Sequence, residues 1–150
     1  MDEQIRSRLN EAAQRGWVRA LGLTITEAAP DRVVGEVEIT ERHHQAYGIA
    51  HGGVHSSIVE TLASMGGAIW AEQRGLTVVG LENTTSFLRA LRAGPVRAVA
   101  TPLTQGRTTQ VWEVAIRDGQ SRLVATGRLR LLCLDPKRSL DGRPVGDHSL

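Results

Sequence analysis

Between Val54 and Ile69 the apolar positions 54, 58, 62, 65 and 69 recur at spacings of three and four residues, which lays one hydrophobic stripe along an α-helix. The predicted helix runs from about Gly53 to Gln73 and stops at Arg74-Gly75, a basic residue followed by a terminating glycine. Its other side carries a second stripe, Gly53, Ser56, Ser57, Glu60, Ser64 and Gly67, small and polar with one carboxylate in the middle. Such a helix has two faces open to close approach, one for a core and one for another backbone or a ligand.

Elsewhere the period shortens to two. Leu21 to Thr26 and Arg32 to Ile39 predict a hairpin joined through Ala29-Pro30-Asp31. Thr77 to Leu88, Val96 to Leu103, Thr108 to Ile116 and Leu123 to Leu134 predict four strands with short connections, and hence an antiparallel meander. Asp2 to Arg15, with Ile5, Leu9 and Ala12/Ala13 on one side, predicts a covering helix stopped by Gly16. From Asp135 the chain turns polar and loses periodicity. The expected organisation is a single domain over residues 1–134 and a flexible tail over 135–150. The class is α+β, an antiparallel β-sheet wrapped around one long central helix. Six strands and one covering helix leave the small-residue face of the central helix without a partner, which predicts a dimer.

Composition narrows the function. A chain of 150 residues buries roughly 68 to 70% of its unfolded surface as one domain. No apolar run is long enough to span a membrane and the chain opens on acids, so no membrane partner and a cytoplasmic location are expected. Net charge is +2 with five aromatic residues and no basic cluster interleaved with them, which argues against nucleic acid. Cys133, the only cysteine, lies in an apolar run and reads as a buried structural thiol. The adjacent His43 and His44 have no Cys, Asp or Glu at a ligand spacing, so a solvated loop and no metal are expected.

The chemistry gathers where the loop Tyr47 to Gly53 enters the helix. Gly52 and Gly53 put no side chain over the unpaired N–H groups of the first turn, which can then donate to a carbonyl or anion at the positive end of the helix dipole. Glu60 lies eight residues beyond Gly52, about 12 Å along a helix. An oxyanion donor and a carboxylate acting on one carbonyl must each lie about 3 Å from it. Two antiparallel copies of the helix about a twofold axis meet that demand, predicting sites shared across a dimer.

This order of elements, with Gln45, His51-Gly52-Gly53 and Glu60, resembles the hotdog-fold acyl-CoA thioesterases, in the PaaI-like branch that contains the Arthrobacter-type 4-hydroxybenzoyl-CoA, enterobactin-pathway proofreading and dihydroxynaphthoyl-CoA enzymes. The resemblance covers about Leu21 to Leu134. It implies that Glu60 is nucleophile or general base, that the Gly52 N–H binds the thioester oxygen, and that Gln45 hydrogen-bonds near the reacting carbonyl or thiol. Ser64 would place water or carboxylate, and His51 would brace the loop or meet the leaving thiolate. Gly53, Arg89, Arg92, Gly106 and Arg107 are the candidates for the coenzyme A moiety. No cofactor is expected, coenzyme A being part of the substrate. Self-association as a dimer, and of dimers into a tetramer through the outer surface of the sheet, is expected. One departure stands at Thr84-Thr85-Ser86-Phe87, where the enterobactin- and menaquinone-type members carry a histidine. The competing readings are a thioesterase acting on an acyl carrier protein, a hydratase or dehydratase, and a non-catalytic acyl-CoA-binding domain.

Overall fold

The computed structural model describes Ser7, Asn10, Glu11 and residues 14–140 and 142–144. The helix expected over Asp2 to Arg15 lies largely outside these. A short helix α1 (Gly16–Leu21) leads into strands β1 (Thr24–Ala29) and β2 (Arg32–Ile39), followed by a 3-10 turn at Glu41–His43. The long helix α2 (Gly52–Glu72) comes next, then β3 (Thr77–Phe87), β4 (Gly94–Gln105), β5 (Thr109–Asp118) and β6 (Leu123–Leu134). Ser139–Leu140 (β7) and Arg143–Pro144 (β8) form a two-residue ladder in the stretch that shows no periodicity.

All pairings in the main sheet are antiparallel, and the spatial order is β1-β2-β4-β5-β6-β3. The expected four-strand meander is therefore wrong in one place. β4, β5 and β6 are consecutive neighbours, but β3 pairs with β6 at the far edge and β4 pairs with β2. The reason is α2, which carries the chain from one side of the sheet to the other before β3 begins. A period-two pattern reports which face a residue takes and is silent about the neighbouring strand.

The sheet curls around α2, which touches all six strands. Val54, Ile58, Leu62 and Ile69 are buried as the stripe predicts, with Val59 and Ala63 beside them. Gly67, placed by its sequence position on the open polar stripe, faces the sheet instead: a Cβ there would come within 2.3 Å of Leu131. A Cβ on Gly66 would come within 2.3 Å of the Trp112 ring. These two glycines let the helix settle onto the largest buried side chain, whose indole Nε1 donates to Gln110 while the Gln110 amide donates to the Gly67 carbonyl. The start of β1 also shifts. Leu21 ends α1, Gly22 takes a left-handed φ of 71° as its C-cap, and the strand opens only at Thr24.

Candidate active site

The loop before α2 is pinned at several points. Thr40 N donates to His43 Nδ1 at 3.0 Å, which makes Nδ1 an acceptor and leaves Nε2 to donate to the Leu21 carbonyl at 3.0 Å. His43 is thus a buried latch, not the solvated residue its neighbourhood suggests. Ala50 N donates to the Leu91 carbonyl and His51 N to the His43 carbonyl. Gly48, at a φ of 69°, turns the loop, and Arg92 donates to the carbonyls of Tyr47 and Gly48 at 3.3 and 3.0 Å. Arg92, a candidate for coenzyme A phosphates, is thereby committed in part to holding this turn. Gln45 accepts from Tyr47 N through its side-chain oxygen, so that end points into its own loop.

His51 caps α2. Its Nδ1 accepts from Gly53 N at 2.9 Å, doing what Ser or Asp does at most helix starts. The Gly53 N–H is spent on this cap, which leaves the Gly52 N–H with no acceptor among the described residues. Glycine is needed at 52 for a second reason: a Cβ there would lie 2.6 Å from the Phe87 ring.

Two turns further on, half-buried Glu60 leans on β3. A Cβ on Gly80 would lie 2.6 Å from Glu60 Oε1, so the bare glycine is the floor under the carboxylate. Asn83 Nδ2 donates to Glu60 Oε2 at 3.0 Å and to the Ser56 carbonyl at 3.0 Å. Thr85 donates to Asn83 Oδ1 at 2.7 Å, which fixes the amide with its nitrogen toward Glu60. One carboxylate oxygen is therefore oriented, and Oε1 keeps no hydrogen-bond partner among the described residues.

Gly80 and Asn83 are three residues apart, and in a regular strand they would face opposite ways. A bulge resolves this. Gly80 pairs with Leu131 and Glu82 with Arg130, leaving Leu81 unpaired, so Asn83, Thr85 and Phe87 return to the helix side opposite Leu129, Gly127 and Ala125. Asn83 was not legible beforehand because the bulge that turns it inward leaves no local mark. Gly80 did carry a signal, since a glycine inside a strand marks close approach.

The other candidates are placed as follows. Ser64 is half-buried one turn after Glu60, with its hydroxyl unbonded among the described residues. Arg89 and Arg107 are exposed, with no side-chain partner among the described residues. Gly106 is required by its own hairpin: its N–H donates to the Thr109 carbonyl, and a Cβ would lie 2.8 Å from that oxygen. No group of three His, Cys, Asp or Glu gathers among the described residues. No helix among them is long and apolar enough to cross a membrane.

A family described as the thioesterase superfamily matches residues 47–125, a span that includes the loop, α2 and the β3 residues around Glu60. The chain belongs to the thioesterase superfamily. This thioesterase has the hotdog fold, six antiparallel strands around one central helix, and is a thioester hydrolase. It is 38% identical over 121 residues to the proofreading thioesterase EntH of Cronobacter sakazakii, covering 81% of this chain and 88% of the relative. A solved thioesterase of Haemophilus influenzae superposes with a TM-score of 0.81 at 32% identity, covering 97% of this chain and 94% of that one. The solved AziG of S. sahachiroi gives 0.77 at 39% identity, covering 80% and 97%.

Proposed function

We propose that this thioesterase hydrolyses aryl or other small acyl thioesters of coenzyme A at two equivalent sites, each joining Gly52 of one subunit to Glu60 of the other. The observation that carries the reading is the held carboxylate eight residues from a helix N–H unpaired among the described residues: Glu60 is oriented by Asn83 over a glycine floor, and Gly52 offers the donor. A thioester carbonyl is electrophilic and its thiolate a good leaving group, so no Ser-His-Asp triad is needed. Glu60 either adds to the carbonyl carbon, forming an anhydride that water opens after the thiolate leaves, or takes a proton from water whose oxygen adds instead. In both routes the Gly52 N–H stabilises the charge that develops on the carbonyl oxygen, an effect of roughly 3 to 4 kcal/mol.

The dimer is supported by β3. This eleven-residue strand is a sheet edge, pairs only with β6 among the described residues, and carries exposed Leu81 and Phe87, with exposed Leu88 directly after it. A long unpaired edge with apolar side chains invites a second copy. The test is thiol release from a panel of aryl- and alkyl-CoA thioesters by the native enzyme and by Glu60→Ala. Turnover of at least one member that collapses in the variant is the expected result. Turnover unchanged by the substitution would sink the mechanism, and a compact active monomer in sedimentation would sink the shared site.

A further inference from the structure

The loop that delivers Gly52 is fastened by a segment 44 residues further along the chain, and most of the fastening falls to one residue. Arg92 gives the loop both of its ends. Its Nη1 donates to the Tyr47 carbonyl at 3.3 Å and to the Gly48 carbonyl at 3.0 Å, which commits both hydrogens of that nitrogen. Its own carbonyl accepts from His44 Nε2, since a carbonyl oxygen can only accept. Leu91, the residue before it, accepts from Ala50 N at 2.7 Å. Two adjacent residues thus tie down positions 44, 47, 48 and 50.

Within the loop, Gln45 N donates to the Ile49 carbonyl and Gly48 N to the Gln45 carbonyl, so the clamped segment is one small knot. His51 N donates to the His43 carbonyl, and the next N–H along the chain is that of Gly52, unpaired among the described residues. What holds the knot therefore sets where that N–H points. Gly48 brings the backbone close to the guanidinium: at its φ of 69° a Cβ would lie 3.3 Å from Arg92 Nη1. A planar guanidinium spans the carbonyls of two consecutive residues, and a lysine ammonium does not reproduce that fork. Bonds this exposed hold a local segment more than the whole fold.

We propose that Arg92 is a positioning residue for the oxyanion donor: it holds the loop so that the Gly52 N–H meets the thioester oxygen, independently of the phosphates of coenzyme A. The proposal rests on the thioesterase site proposed above and goes beyond it by assigning this cation to the loop. In the experiment, the acyl group that the panel turns over fastest is presented as its CoA thioester and as its pantetheine thioester, which has the same thiol arm without phosphates or adenine. Arg92→Ala should lower kcat by roughly tenfold on both, with the ratio of the two kcat/KM values kept within about twofold of native. Arg92→Lys, a cation without the fork, should fall between the two. A loss confined to the CoA thioester, or no loss on either, overturns the proposal.

Amide hydrogen exchange reads the loop without turnover. In Arg92→Ala the Gly48, Ala50 and His51 amides should exchange at least about threefold faster than in the native protein, while those of β5 keep their rates. If no thioester is hydrolysed, the catalytic reading fails by itself and the exchange rates decide the present proposal. Loop amides that exchange as before overturn it, whatever the kinetics show.

Discussion

Gly52→Pro tests the oxyanion donor with little collateral change. Proline is well suited to the first position of a helix, where it removes an N–H and little else. His51, at φ −66° and ψ 137°, already has the extended conformation favoured before proline. The obstacle is Phe87, 2.6 Å from where the new Cβ would lie, so the substitution belongs in a Phe87→Ala background and is compared with Phe87→Ala alone. Loss of the free Gly52 N–H should lower kcat by roughly 100- to 1,000-fold, the usual effect of removing one oxyanion donor. The shared site adds a sharper expectation. Glu60→Ala subunits keep an intact Gly52, and Gly52→Pro/Phe87→Ala subunits keep an intact Glu60. Mixed dimers thus contain one complete site of two, and random reassortment makes half the dimers mixed, restoring about a quarter of native activity. Thiol release before and after subunit exchange is the assay. A mixture no more active than its parents refutes the shared site, and a proline variant as fast as its background refutes the role of the Gly52 N–H.

Gly80→Ala should misplace Glu60, because its Cβ would lie 2.6 Å from Oε1, lowering kcat by about tenfold or more while the thermal midpoint moves little. Gly66→Ala drives a methyl into the Trp112 ring and should cost about 1 to 3 kcal/mol in denaturant unfolding. His55 is held neutral by burial and its pKa is depressed from 6.5, so the unfolded chain binds the proton first. Its contribution to stability is complete above about pH 6.5 and is lost as pH falls below it, and a melting series should show that loss in the native protein and not in His55→Phe. Asp118, held below the carboxylate range chiefly by its hydrogen bond from the Arg122 side chain, gives stability that is lost only below about pH 4, so the two windows separate.

Much of this was legible in the chain because helix and strand periodicities are local. The stripe 54, 58, 62, 65 and 69 marks α2, and the Gly52 to Glu60 spacing by itself poses the question of a shared site. What stayed hidden depends on contacts between distant segments. β3 has the same alternation whether its neighbour is β4 or β6, so the strand order could not be read. Gly67 looks like part of an open face until Leu131 is seen above it. His43 and His55 are polar letters in polar surroundings, and only burial separates a latch or a core histidine from a solvated side chain.

The bulge at Leu81 gives β3 one residue more than its partner strand counts. Removing Leu81 would leave Gly80 opposite Leu131, Glu82 opposite Arg130 and Asn83 opposite Leu129, restoring a regular ladder with the same inward residues. Removing any one residue between Asn83 and Phe87 would instead invert the strand beyond the gap. The same one-residue deletion is thus silent at one position and, three positions later, rewrites the lining of the site. In this enzyme an insertion or deletion in β3 is a coarser editor of substrate choice than any single substitution there.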